Sequence, residues 1–148
     1  MCDAQGCSET HFGQFANERG RIDSLKHELT IAKTDTIRVR LMTGICNSLS
    51  GIDPDSALYY GENALALSRK IKYPKGEILA LSFTSGVLNS TGNLPKALSM
   101  AFEALQIAEE ENMDIEKKWP FVFIAAVYSS LQEFPKAISF RKKSLLIA

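Results

Sequence analysis

Apolar residues recur along most of the chain at helical spacing, and that recurrence itself repeats. The segments DPDSALYYGENALALS, NLPKALSMAFEALQIA and EFPKAISFRKKSLLIA begin at Asp53, Asn93 and Glu133, a constant step of 40 residues without gaps. Aligned, they superpose Ala57, Ala97 and Ala137; Leu58, Leu98 and Ile138; Leu65, Leu105 and Leu145; and Leu67, Ile107 and Ile147. Two further columns stay small: Ala64, Ala104 and Ser144, then Ser68, Ala108 and Ala148. Positions 57, 58, 61, 64, 65 and 68 and their equivalents trace a single stripe on a helix. A strand would alternate, and these segments do not.

Each segment follows a second apolar helical stretch: RVRLMTGICNSLS, GEILALSFTSGVLNS and WPFVFIAAVYSSLQ. The unit is therefore helix, tight turn, longer helix. Start signals agree. Asp53-Pro54 places an acid at the cap and proline at the first helical position, and Gly92-Asn93 supplies a turn glycine and a cap. A lone hairpin leaves one face bare, and the next hairpin covers it, which is the reason for repetition. Alanine at 57, 97 and 137 lets paired helices approach closely. The chain thus reads as three repeats at about 34–73, 74–113 and 114–148. Pro120 fits a helix beginning at Trp119, with Asp114–Lys118 as a separate first turn.

These residues resemble the tetratricopeptide repeat. The third unit matches best, through Phe121, Ile124, Ala125, Tyr128 and Ala137; the second keeps Leu81, Ser85, Leu88, Ala97 and Ala104; the first keeps Leu41, Ala57 and Ala64. Ile45 stands where a small residue is usual, the period is 40 rather than about 34, and Arg69 and Glu109 replace the closing proline. Longer units of this kind, with RIDSLKHELTIAKTDTIRVRL before the first, are similar to the repeat region of bacterial two-component sensor histidine kinases. The resemblance implies an all-α fold, an α-α superhelix: a right-handed solenoid of antiparallel hairpins. It also implies a place outside the cytoplasm, ahead of a membrane helix and a kinase.

Outside the repeats, Ile22, Leu25, Leu29 and Ala32 form a narrow stripe on a leading helix over about 19–32, suited to cover the first hairpin or, alternatively, to make a dimer contact. Residues 1–18 read as a disordered or poorly ordered polar tail. The apolar pattern is still running at Ala148, as in a fragment of something longer. At 148 residues and 45% hydrophobic composition the chain is long enough to bury a core. Lys plus Arg and Asp plus Glu both number 17, so no basic excess points to nucleic acid. No apolar run of about 18 residues predicts a membrane span, and positions 1–20 lack the apolar core of a signal peptide.

Chemistry-bearing patterns are sparse. Cys2, Cys7 and Cys46 are an odd set without a His cluster, which argues against a disulfide framework and a zinc site. Cys46 reads as a small apolar residue on a helix. His11 lies in the tail. His27 neighbours Glu28, but adjacent helical residues point apart, and no nucleophile stands at a spacing that would complete a pair. The glycines are scattered rather than gathered in a phosphate loop. Glu109, Glu110 and Glu111 read as a solvated helix end. The reading is no catalytic residue, no cofactor and no metal.

What remains is binding. In the tetratricopeptide family the first helices of successive hairpins line a concave groove. By column, that assigns Val39, Met42, Cys46 and Leu49 in the first repeat; Leu79, Ser82, Gly86 and Asn89 in the second; and Trp119, Val122, Ala126 and Ser129 in the third. Met42, Ser82 and Val122, with Cys46, Gly86 and Ala126, stand where family members that grip a terminal carboxylate carry cations and Asn, so that mode is disfavoured. The groove would suit an apolar peptide, a helix or a neighbouring segment, and several of these residues read equally as packed between helices. Basic residues at Arg69–Lys75, Lys117–Lys118 and Arg141–Lys143 read as a solvated surface or an acidic-peptide patch. The expected function is a protein- or peptide-binding module, the sensing or scaffold part of a bacterial signalling protein. The alternatives are a spacer or dimerisation element, and a peptide-pheromone receptor. Leu145, Leu146 and Ile147, with nothing after them to cover them, predict self-association through the last helix.

Overall fold

The structure is a computed structural model that describes residues 4–147, with side chains described from residue 17. Among these residues there are seven α-helices, one 3-10 turn and no strand. They are α1 (Ala4–Ile31), α2 (Asp35–Leu49), α3 (Pro54–Lys70), α4 (Pro74–Ser90), α5 (Leu94–Glu110), a turn at Ile115–Lys117, α6 (Lys118–Ser130) and α7 (Phe134–Leu145). None is long and apolar enough to cross a membrane.

The caps follow the residues. Asp53 opens α3 by accepting the Ser56 N–H at 3.2 Å and the Ser56 hydroxyl at 2.5 Å, with Pro54 behind it. Asn93 holds the cap position of α5, but its side chain makes no cap hydrogen bond. The separate turn before α6 is present, and Pro120 sits in the first turn of that helix, buried, where its missing N–H costs nothing.

Helix ends recur with the same step as the sequence. Lys72 and Asn112, 40 residues apart, take left-handed φ values of 54° and 53°; Gly92 and Gln132, also 40 apart, take 89° and 61°. Each is the residue past a helix cap, and each helix closes with the same six-residue bond. Tyr73 N–H donates to Ser68 C=O, Asn93 to Leu88, Met113 to Ala108 and Glu133 to Tyr128, at 2.8–2.9 Å. This is the Schellman closure. Only one of the four is glycine, so three side chains accept the left-handed conformation at a cost in strain.

Packing is sequential. α2 pairs with α3, α4 with α5 and α6 with α7, while α3 contacts α4, α5 contacts α6, and the first helices of the hairpins contact one another, α2 with α4 and α4 with α6. The small columns lie at these contacts: Ala57, Ala64, Ala97, Ala101, Ala104 and Ala108 are all fully buried. Gly61 shows how tight the fit is. A methyl added there would overlap Thr84 Oγ1 of α4 and lie 3.1 Å from Cys46 Sγ of α2.

The N-terminal part differs from expectation. α1 begins at Ala4, so the segment read as a polar tail is helical from there; its mixed polar composition carries no stripe, but it also carries no proline that would break a helix before Arg19. The covering role of residues 19–32 matches the contacts: Ile22 is buried in a cluster with Ile45, Cys46 and Leu49, with Leu25 and Leu29 packed against it. The side chains of Cys2, Cys7 and His11 lie outside the described residues.

Candidate functional site

The columns assigned to one groove separate into three environments. Val39, Cys46, Leu49 and Ser82 are buried. Val39 faces the start of α4, its Cγ1 only 2.8 Å from where a methyl on Gly76 would be. Cys46 sits against Gly61 and in a cluster with Ala57, Val87 and Phe83. Met42 is half-buried against the cluster of Ile78 and Leu81. These residues are therefore core, not groove. The column offset carried over from the repeat pattern points at the next hairpin, because a shift of one residue on a helix turns a side chain by about 100°.

Burial raises the Cys46 pKa from an ordinary 9.0 to about 11, with the Thr84 hydroxyl pulling partly back. Thiolate chemistry is thereby suppressed at neutral pH.

The second environment is a cleft of about 510 Å³ at the N-terminal ends of α4 and α6. Leu79 and Trp119 line it, as assigned. The structure adds Arg40 from α2, Tyr73 and Lys75 at the head of α4, Glu116 and Lys118 around the 3-10 turn, and Ile147 from the chain's last described residues. Trp119 is fixed by Phe83, ring centroids 5.3 Å apart, and Phe83 in turn by Phe123 at 5.6 Å. Lys118 Nζ stands 6.0 Å from the indole centroid. Lys75 pairs with Glu116 at 3.4 Å, leaving three cations around one carboxylate. Lys75 and Lys118 belong to separate basic groups along the sequence; only the packing of α4 beside α6 unites them. Arg40 gave no signal, because nothing in a sequence says which side of α2 meets the turn before α6. Ile147, expected in the self-association strip, is half-buried and turned into this cleft instead.

The third environment is an apolar hollow of about 310 Å³ between α6 and α7, lined by Val122, Ala126, Phe134, Ala137, Ile138 and Arg141 among others. Here the remaining third-repeat positions gather. Gly86 and Asn89 join neither cavity: Gly86 lies beneath the ring of Phe123, where a methyl would come within 2.5 Å of Cε1. No group of three or more His, Cys, Asp or Glu that could hold a metal occurs among the described residues. Leu145 and Leu146 are strongly exposed.

Among the described residues, fold and site together define an all-α arrangement of sequentially packed helices with a polar, aromatic cleft and an open apolar hollow. Comparison with family profiles finds no match to the chain, and comparison with curated proteins finds none.

Proposed function

We propose that the chain is a tetratricopeptide-type superhelical module that binds a protein or peptide, as the sensing or scaffold part of a bacterial signal-transduction protein. The cleft carries this reading. It offers an aromatic floor at Trp119, an apolar wall at Leu79, and Arg40, Lys75 and Lys118 at the rim. Such a set holds an extended segment with an acidic residue beside an apolar or aromatic one: cations steer the acid, and the indole takes the ring or the stem. The 40-residue columns, the recurring Schellman closures and the contacts between first helices support the repeat reading. The signalling context rests on the whole-segment resemblance over about 20–148 alone.

Trp119 is the sole tryptophan of the chain, so its emission reports the cleft directly. Pools of short peptides with one aromatic and one or two acidic residues would be titrated against the protein. The expected result is a saturable change in Trp119 emission that weakens with salt and is lost in Arg40→Glu and Lys118→Glu. Peptide pools that leave the emission unchanged at millimolar concentration would reject the cleft as the site.

A further inference from the structure

The three cations of the cleft face an acid that the chain itself supplies. Glu116 Oε1 lies 3.4 Å from Lys75 Nζ, and the Glu116 side chain is 14% exposed, against 20–84% for the acids of the other ion pairs among the described residues. The contact is long beside the 2.6–3.0 Å of the pairs Arg38–Asp35, Arg69–Glu103, Lys117–Asp114 and Lys136–Glu133. Lys75 belongs to α4, the helix that touches both α2 and α6. Arg40 on α2 and Lys118 on α6 make no ion pair among the described residues. A carboxylate held by one loose partner therefore sits within the cation row that would receive the acid of a ligand.

The repeat shows how this acid comes to be there. Forty residues earlier its column holds Gly76, where α4 lies so close to Val39, Tyr73 and Ser68 that even a methyl would overlap them. In the third unit the backbone differs. Pro120 has no N–H to donate to the Glu116 C=O, so Ile115–Lys117 forms a 3-10 turn ahead of α6, whereas the matching residues from Pro74 onward are α-helical. Asp114 and Lys117 brace the turn at 2.8 Å. The turn makes room for a side chain at position 116 and carries it to Lys75.

We propose that Glu116 is an internal competitor for the acid of the ligand: it occupies Lys75 in the free protein, holds anions off the Trp119 cleft, and leaves Lys75 when a ligand carboxylate takes its place. A tethered competitor acts at an effective concentration of roughly millimolar order. Free anions lose to it, and a ligand wins by adding contacts that Glu116 lacks, here with the indole and Leu79. Glu116 thereby makes the cleft selective for an acid joined to an aromatic or apolar group. The proposal deepens the cleft reading above and rests on it.

Quenching of Trp119 by iodide, an anion, and by acrylamide, which is neutral, tests the competitor in the full chain without a ligand. At constant ionic strength Glu116→Gln should raise iodide quenching about twofold, the effect of removing one charge a few ångströms from the indole, and leave acrylamide quenching unchanged. Glu133→Gln removes the same charge past the far end of α6 and should change neither. In a Lys75→Gln background the gain from Glu116→Gln should largely vanish, because no cation remains to compete for. With peptides, Glu116→Gln should tighten an acid-bearing one about fivefold and leave its uncharged amide analogue unchanged. Iodide quenching alike in the parent and Glu116→Gln overturns the proposal. So does a gain that persists in Lys75→Gln, which is charge screening alone, or a parallel rise with acrylamide, which is loosened packing. A Lys75-dependent iodide gain without peptide binding rejects the peptide reading and upholds the competitor; peptide binding with no iodide gain does the reverse.

Discussion

Gly61 sits in the middle of α3, where glycine ordinarily costs a helix about 1 kcal/mol relative to alanine. The structure explains its presence by the closeness of α4. Gly61→Ala would drive a methyl into Thr84 Oγ1 and to 3.1 Å from Cys46 Sγ. Thr84 and Cys46 are themselves fully buried, so neither can swing aside into solvent. Overpacking of this kind costs about 1–3 kcal/mol. Gly20 is the internal control: it too is helical, on α1, but a methyl there meets nothing within 4 Å. The propensity gain is common to both substitutions and cancels in their difference. Gly61→Ala should therefore be less stable than Gly20→Ala by about 1–3 kcal/mol in urea unfolding, or roughly 2–4 °C in melting temperature per kcal/mol. Thr84→Ala should relieve the clash, so that Gly61→Ala becomes stabilising in that background, with a coupling energy of about 0.5–3 kcal/mol. Equal effects at positions 20 and 61, or additivity between Gly61→Ala and Thr84→Ala, would refute the close approach of α3 and α4.

Asp53→Ala should destabilise by about 1 kcal/mol, because the side chain accepts two hydrogen bonds at the α3 cap, whereas Asn93→Ala should cost much less, its side chain making none; urea midpoints decide. Cys46 contributes a pH dependence of known sign. Its folded pKa of about 11 lies above the ordinary 9.0, so the folded state holds the proton more tightly and its advantage is full below pH 9. Stability should fall as pH rises from 9 through 11, by roughly 2–3 kcal/mol more than in Cys46→Ala; parallel pH profiles of the two proteins would contradict this. Val122→Glu lines an open hollow and should leave the melt within about 1 kcal/mol of the parent, while Cys46→Glu, buried among Ile45, Ala57 and Val87, should prevent cooperative folding altogether. Similar melts for the two would show that burial does not separate these columns.

From Arg19 onward the residue pattern is sufficient for the helices and for their pairing. Spacing of apolar residues, the Asp53-Pro54 start, and columns kept small at a 40-residue step each act locally or between chain neighbours, so they are legible without coordinates. Left-handed residues at Lys72, Asn112 and Gln132 were not legible, because nothing about Lys or Gln announces that φ, and only the closing hydrogen bonds of the helices impose it. Helix content before Arg19 escapes for the opposite reason: with no apolar stripe, the sequence offers no helical face to read.

The site was legible only in part. That Trp119 and Leu79 meet followed from their shared column. That Arg40, Lys75 and Lys118 join them, that Val39, Cys46 and Ser82 turn inward, and that Val122 and Ala126 look onto a separate hollow were decided by how the hairpins rotate against one another. A sequence determines the period of a helix face to within a residue or so, but each residue is about 100° of rotation. Which face meets a neighbour and which meets solvent is therefore decided by tertiary contacts such as Phe123 on Gly86 and Thr84 on Gly61, where the absence of a side chain on one helix makes room for a large one on the next.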